Sequence, residues 1–514
     1  MQFLKPARVV LSVIIVSAFT LLFLDVYHLL PRSIVTIIAG TQLAPSVLKM
    51  IEGRKIILFV IFILLVTLFF GRLYCSTLCP FGILQDFFSH IPVWKNKRNK
   101  RRFRYSHPSF KIHYVIFASI VLLCIVGSFI VLNLLEPYSV FGRMVVTLGV
   151  PVVIGINNLC AAILGNSGIL SQLTYRHFQI WIFVYALLFL VFIAALAYKK
   201  GRLFCNLLCP VGAFLGILSR FSMYKISIVP SACKECGVCE KVCKARCIDS
   251  ANMKIDFAAC VSCFNCIDVC PTSGIKYRRS GKVEQQNSDS IKGKSRRAFL
   301  KSAVILPAIA KISTIAHGEQ TTKSRYYNAH AIPITPPGSE SMSHFSSHCT
   351  ACYLCVEQCP SQVITPATVQ YGLSGIFQPR MDYSISYCDY DCTACSQVCP
   401  SSAIKPITVD QKHEIQIGVA EFIEDDCIVK LNGTDCGACS EHCPTKAVTM
   451  VPYGELFIPE VHQEYCVGCG ACEHSCPAQP RKAIYVIGRS EHKIAKKPVS
   501  KDVQEEQPLN DFPF

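Results

Sequence analysis

The sequence predicts a multidomain protein: an α-helical polytopic membrane domain with four spans, followed by two small cysteine-rich domains of α+β character. Three observations carry that reading. Apolar runs long enough to cross a bilayer lie before residue 220. The 31 cysteines recur in quartets rather than as scattered residues. The formal net charge of +17 is also uneven, with 37 Lys+Arg against 11 Asp+Glu in residues 1–317 and 14 against 23 in residues 318–514. An acidic cysteine-rich half excludes nucleic acid as a partner, because that would need a basic patch on the polar part. The basic excess of the apolar half follows the positive-inside rule, so the two halves are expected to face different compartments.

Four segments are predicted to span the membrane, at about 9–30, 56–72, 112–135 and 178–198. A fifth apolar stretch, about 144–165, is interrupted by Gly149, Pro151, Gly155, Asn157 and Asn158. The basic segments Lys95–Arg104 and Tyr198–Arg202 should share the cytoplasmic side, which needs an even number of spans between them. The fifth stretch is therefore expected to be interfacial or re-entrant.

This half, residues 1–225, repeats internally. GRLYCSTLCPFG from Gly71 and GRLFCNLLCPVG from Gly201 share the frame GRLxCxxLCPxG. Parallel repeats of this kind pack about an axis along the membrane normal. Packing on one face would bring Cys75, Cys79, Cys205 and Cys209 together, a donor set suited to a soft metal or redox centre. The alternative is that each Cys-Pro turn only ends a helix. Upstream, Asp25 ends the first predicted span and Glu136 the third. An ionisable residue at membrane depth is a functional candidate, while a solvated helix end is the bland alternative. Cys124 and Cys160 stand singly in apolar sequence and read as packing residues.

Six cysteine quartets follow. Cys233, Cys236, Cys239, Cys243 and then Cys260, Cys263, Cys266, Cys270 have the C-x2-C-x2-C-x3-C spacing of bacterial [4Fe–4S] ferredoxins. In two-cluster ferredoxins the fourth cysteine serves the other cluster. Residues 226–280 are thus expected to form a cytoplasmic two-cluster domain, with Cys270 joining the first three ligands and Cys243 the second three. Cys247 falls outside the pattern. Four more quartets occupy residues 318–490: Cys349, Cys352, Cys355, Cys359; Cys388, Cys392, Cys395, Cys399; Cys427, Cys436, Cys439, Cys443; and Cys466, Cys469, Cys472, Cys476. Widened first gaps in two of them are tolerable, because loop-closure entropy grows slowly with length. The spacing leaves open whether neighbouring quartets share ligands or the first pairs with the fourth and the second with the third. Residues 491–514 are charged and read as a disordered tail.

Between the two cysteine-rich parts, in residues 281–317, lies SRRAFLKSAVILPAIA from Ser295. The S-R-R-x-F-L-K start and the mildly apolar stretch behind it match a twin-arginine export signal. Cluster-bearing domains must be loaded in the cytoplasm and cross already folded, which such export permits. The alternative is a basic amphipathic helix on the cytoplasmic face, with all that follows also cytoplasmic.

Together the parts resemble a known pair. Residues 1–280 resemble the NapH family, the membrane quinol-dehydrogenase component of periplasmic nitrate reductase systems, with four spans, two CxxxCP motifs and two cytoplasmic clusters. Residues 295–490 resemble the NapG family of exported four-cluster ferredoxins. The resemblance implies a chain of the bacterial inner membrane with its last domain periplasmic. It implies a menaquinol or ubiquinol as substrate, six [4Fe–4S] clusters, and a periplasmic reductase as redox partner. Asp25 and Glu136 are then the expected proton acceptors of the quinol. Two rivals are an assembly or regulatory redox factor for a respiratory metalloenzyme and a subunit of an ion-translocating redox pump. Related CxxxCP ferredoxins serve several systems, so the acceptor stays open.

Overall fold

The computed structural model describes residues 3–51, 57–95, 103–106, 110–164, 172–175, 179–279, 332–368, 370–372 and 375–496. The twin-arginine-like segment and the tail beyond 496 lie outside the described residues. The chain divides into two compact units. The first comprises Met1–Thr322, Ser343–Pro379 and Ala394–Pro406; the second comprises Lys323–Met342, Arg380–Thr393 and Ile407–Phe514. This division cuts across the expected 318–490 domain.

The first unit begins with α1 (Leu4–Phe23), a bent pair α2 (Arg32–Ala39) and α3 (Leu43–Ile51), and α4 (Ile57–Phe70). The motif helices α5 (Tyr74–Thr77) and α6 (Pro80–Lys95) follow. The second copy runs through α7 (Phe110–Ile125), α8 (Ile130–Leu135), α9 (Pro137–Met144), a π-helical turn (Val145–Gly149) and α10 (Val150–Leu164). It closes with α11 (Ile180–Lys200), α12 (Leu203–Leu207) and α13 (Pro210–Ser219). Apolar side chains such as Leu58, Trp181 and Leu188 stay exposed on α4 and α11, which suits helices whose outer faces meet lipid tails.

Among the described residues three helices are long and apolar enough to cross a membrane: Leu4–Phe23, Pro137–Ile163 and Ile180–Lys200. The pair Arg32–Ala39 and Leu43–Met50, bent by 97°, adds one more if counted as a single span. Two predicted segments look different in the structure. The stretch 144–165, expected to be interfacial or re-entrant, falls almost wholly within a 27-residue helix, Pro137–Ile163, long and apolar enough to cross a membrane. Gly149 lies in the π turn and Pro151 just after it, where the break in the regular hydrogen-bond ladder tolerates a missing N–H. The bend falls instead at residues 40–42. The predicted span 112–135 is likewise broken into α7 and α8, with Gly127 at the break in a left-handed conformation.

A small ferredoxin-like fold completes this stretch of the first unit. Strand β1 (Tyr224–Ile228) pairs antiparallel with β4 (Ile275–Arg279), in the register Ile226↔Tyr277. Between them lie α14 (Val238–Val242), the short pair β2 (Ile248–Asp249) and β3 (Lys254–Ile255), and α15 (Asn265–Asp268). In the second unit Ile415–Phe422 pairs antiparallel with Ile484–Ile494, and Val448–Tyr453 forms a hairpin with Leu456–Val461. Its core is assembled around Cys427, Cys439, Cys443, Cys466, Cys472 and Cys476, packed with Ala420, Val448 and Ile484. The last strand runs to Ile494, past the expected boundary at 490.

Candidate functional site

The glycines, arginine, cysteines and proline of the GRLxCxxLCPxG frame each have a structural reason. Gly201 ends α11 with φ +63°, and a β-carbon there would collide with the carbonyl oxygen of Lys244. Pro210 opens α13 at the first helical position, where its missing N–H costs nothing. Cys209 caps that helix, its Sγ accepting from Gly212 N–H at 3.3 Å; Cys79 accepts from Gly82 N–H at 3.4 Å. A β-carbon on Gly82 or Gly212 would collide with the carbonyl oxygen of Cys75 or Cys205 respectively, so the two helices meet only through glycine.

The arginines exchange between repeats. Arg202 donates to the Cys75 carbonyl at 2.5 Å, and Arg72 to the Cys205 carbonyl at 3.4 Å. Cys75, Cys79, Cys205 and Cys209 are all buried and lie within electrostatic reach of one another. The predicted convergence of the two motifs is therefore present. Gln85 donates to the Cys205 Sγ at 3.3 Å. Arg72 Nε, Arg202 Nη2 and Gln85 Oε1 are buried there without a hydrogen-bond partner. Four soft donors beside two guanidinium groups fit a thiolate-ligated centre, whose negative charge those groups would offset.

An ion network ties this site to the small fold between β1 and β4. Asp86 meets Arg202 at 2.8 Å, Arg8 at 3.3 Å and Lys244 at 3.5 Å. Burial alone would raise the Asp86 carboxyl, but the three cations overcome it and hold the group far below the usual carboxylate range. Arg72 also donates to the Ala258 carbonyl at 2.5 Å, and Ser262 Oγ to the Phe70 carbonyl at 3.1 Å. These residues flank Cys260 and Cys263.

Of the two sets expected in residues 226–280, the structure gathers the one that includes Cys243. Cys243 joins Cys260, Cys263 and Cys266 around one pocket. Cys247, left out of the pattern, lines the same pocket with its Sγ 3.5 Å from that of Cys243. Spacing gave no signal for it, since it reaches the site through the turn after α14. Cys233, Cys236 and Cys239 are electrostatic neighbours, while Gly274, close behind Cys270, packs against the Cys233 backbone.

Among the last four quartets, three sets of thiols come together across neighbouring quartets. Cys349, Cys352 and Cys355 lie within electrostatic reach of Cys399. Cys427, Cys436 and Cys439 share a pocket with Cys476, and Cys466, Cys469 and Cys472 share one with Cys443. Cys359 Sγ lies 3.6 Å from Ser361 Oγ, and Cys395 is near Cys355. Cys388 donates its N–H to the Cys469 carbonyl at 2.9 Å, and the Cys392 carbonyl accepts from Lys412 at 2.5 Å.

These pockets suit a cubane, because the metal-donor side chains that line them are all cysteine thiols. A cubane takes one thiolate per iron, so its ligands stand apart around an apolar hole. Backbone N–H groups also point at the sulfurs, from Gly274 to Cys270 at 3.2 Å, from Ala351 to Cys349 and from Ala420 to Cys466 at 3.4 Å each.

The two carboxylates predicted to meet a quinol differ in surroundings. Asp25 accepts from the N–H groups of Leu29 at 2.8 Å and Leu30 at 2.9 Å, tying the turn after α1. Glu136, 1% exposed, caps α9 through Tyr138 and Ser139 N–H at 3.2 and 2.5 Å. It lies inside the helical unit rather than at a solvated end, within electrostatic reach of Tyr74 and of Cys352. Tyr74 in turn neighbours Cys75 and Cys79. Cys124 and Cys160 are partly buried, as packing residues would be.

Comparison with known proteins agrees with this chemistry. A family described as "4Fe-4S binding domain" matches residues 56–100 and 182–228, the two copies of the repeated frame. Families described as "4Fe-4S dicluster domain" match residues 348–404 and 434–479. The chain carries iron–sulfur binding domains in both its helical and its cysteine-rich parts. It is 33% identical over 69 residues to an Escherichia coli protein named for electron transport, YccM, covering 13% of this chain and 19% of that one. The methylamine utilization ferredoxin-type protein MauN of Paracoccus denitrificans is 40% identical over 60 residues, 12% of this chain and 21% of its own. Protein NirI of the same organism is 26% identical over 204 residues, 39% of this chain and 25% of its own. The chain spans 19% to 38% of the length of the curated relatives it matches.

Proposed function

We propose that this protein oxidises a membrane quinol and passes the electrons through [4Fe–4S] clusters, six by the count of quartets, to a periplasmic reductase of the nitrate-reductase kind. When bound, each cluster supplies a one-electron couple. Oxidation of the quinol to quinone releases two electrons and two protons, so a row of one-electron centres must accept them singly.

One arrangement in the first unit carries this reading. Helix α1, about 30 Å long at 1.5 Å per residue, has an iron–sulfur fold at each end. Near its start Lys5 pairs with Asp268 at 2.6 Å, between the ligands Cys266 and Cys270. At its other end Phe23 packs on Tyr138 and Gly142, and Gly142 abuts the carbonyl of Cys352. Between these ends lie the four CxxxCP thiols, then Tyr74, then Glu136. A thiolate-bound redox centre at Cys75, Cys79, Cys205 and Cys209 would divide one impassably long electron transfer into two shorter ones. Arg72 and Arg202 would offset its charge inside the bundle. The periplasmic placement of the later quartets agrees with the export-like segment at Ser295, and the NapH and NapG resemblance supplies the quinol and the acceptor.

The test uses full-length protein, purified anaerobically in lipid nanodiscs. Addition of a menaquinol analogue should bleach the visible iron–sulfur absorption and raise cluster signals in electron paramagnetic resonance. Chemical reduction by dithionite with no response to the quinol would overturn the quinol part of the proposal. A reporter fused after residue 496 that is active only outside the cytoplasm would support the periplasmic placement.

A further inference from the structure

Within the first unit a cavity of about 380 Å³ lies beside the loop that carries Cys352 and Cys355. Val146, Val150 and Ile154 form one wall, from the π turn and α10. Ile182 and Phe183, near the start of α11, form a second, and the segment from Tyr353 to Pro366 closes the third side. Its volume falls in the range of small-molecule sites, and its lining is mostly apolar with a few polar groups. Outside it, Val152 and Trp181 are exposed on the same helices, 59% and 78%, on surfaces suited to lipid. An apolar lining behind such surfaces suits a ligand that partitions into the bilayer.

The polar groups are left waiting. Tyr353 OH, Thr365 Oγ1 and Gln179 Oε1 all belong to residues lining the cavity, and each is a buried atom without a hydrogen-bond partner. Tyr353 and Thr365 are 1% and 5% exposed, so water cannot serve them freely. Buried polar groups in folded proteins are normally satisfied, and three unsatisfied ones around one hole indicate a missing partner. Two hydroxyls can donate or accept, whereas an amide oxygen can only accept. The complementary ligand is flat and apolar, accepts from a hydroxyl when oxidised and donates to Gln179 when reduced.

We propose that this cavity binds the ring of a membrane quinone or quinol, with Tyr353, Thr365 and Gln179 contacting its ring oxygens. Tyr353 stands between two thiols of the Cys349, Cys352, Cys355 and Cys399 set, which places the ring beside a redox centre. The π turn supplies Val146 and Thr147 to the cavity wall, and such turns are frequent at functional sites. Neither Asp25 nor Glu136 lines this cavity. The inference rests on the quinol reading above and gives that reading a location.

The probe is the quinol analogue 2-heptyl-4-hydroxyquinoline N-oxide, whose fluorescence is quenched on binding to protein. Full-length protein in nanodiscs should quench it at one site per chain. Tyr353→Phe and Gln179→Leu should each weaken binding about tenfold, the loss expected of one buried hydrogen bond. Val150→Phe, which fills the hole, should remove binding while iron content and the spectra of the clusters stay at wild-type levels. If wild type binds and all three loaded variants bind as tightly, the ring sits elsewhere: the cavity assignment falls and the quinol reading stands. If wild type neither binds the probe nor accepts electrons from a menaquinol analogue, both fall together. Should Val150→Phe lose its clusters, Tyr353→Phe and Gln179→Leu decide the matter by the same comparison.

Discussion

Arg202 and Cys75 come from different repeats, 127 positions apart, yet the guanidinium of one donates to the carbonyl of the other at 2.5 Å. Arg72 returns the contact to Cys205. The two motifs thus lock each other, and the thiols they carry are held by the same lock.

That lock should fail measurably when Arg202 is changed. Its side chain is buried and pairs with Asp86 at 2.8 Å, so Arg202→Met leaves a buried carboxylate with only Arg8 and Lys244. Removing one partner of a buried pair costs about 3–5 kcal/mol. Thermal unfolding of the purified variant should show a clear loss of stability, and Arg202→Lys should recover only part because a lysine cannot reach both Asp86 and Cys75. A variant as stable as wild type would refute the lock.

The Asp86 network also has a defined pH signature. The folded-state carboxyl lies far below its ordinary value, so its stabilisation is complete above the unfolded value near pH 4 and is lost only as the pH falls further, towards the folded value. Asp86→Asn should therefore destabilise equally at pH 6 and pH 8. A penalty that grows between those two values would show that another group carries the interaction.

His492, in the second unit, predicts the opposite window. Its ring sits 2.8 Å from Thr335 Oγ1, and burial, partly offset by Glu340, holds its pKa down at about 4. The unfolded chain takes up a proton near pH 6.5 that the folded chain refuses. Stability of this unit should fall as the pH drops from about 6.5 to about 4. His492→Gln should flatten that slope, as followed by thermal melts of the cluster absorption in the full chain.

Cluster sharing can be tested by loss of iron. Cys476→Ala should behave as Cys427→Ala does, and Cys443→Ala as Cys466→Ala does, each pair losing the same paramagnetic signal and about four iron atoms per chain. If Cys476→Ala instead matched Cys466→Ala, the pairing across neighbouring quartets would be wrong.

Much of this was legible in residue order because its physics is local. Three cysteines wrap a cluster within one tight loop, so their spacing alone identifies the chemistry. The length of an apolar run decides whether a helix can reach across a bilayer, which is why α11 lies within two residues of its predicted segment, although α1 starts five and ends seven residues earlier than predicted. The stretch 144–165 looks different in the structure for a related reason: the glycines and proline that suggest a break are local signals, and Gly149 and Pro151 fall in and just after a π turn.

The remainder depends on contacts between distant parts of the chain. Spacing says that Cys476 leaves its loop but not which three thiols it joins. It cannot reveal that Glu136 is interior beside Tyr74, or that Cys247 stands against Cys243. Nor can it show Tyr353, Thr365 and Gln179 around one cavity, since each looks unremarkable among its own neighbours. Order along the chain determined the cofactor chemistry and the apolar anchor, because both are written in short-range periodicity. Only the tertiary structure decided which thiols share a pocket and which polar groups line one cavity, because burial and long-range packing place those groups together.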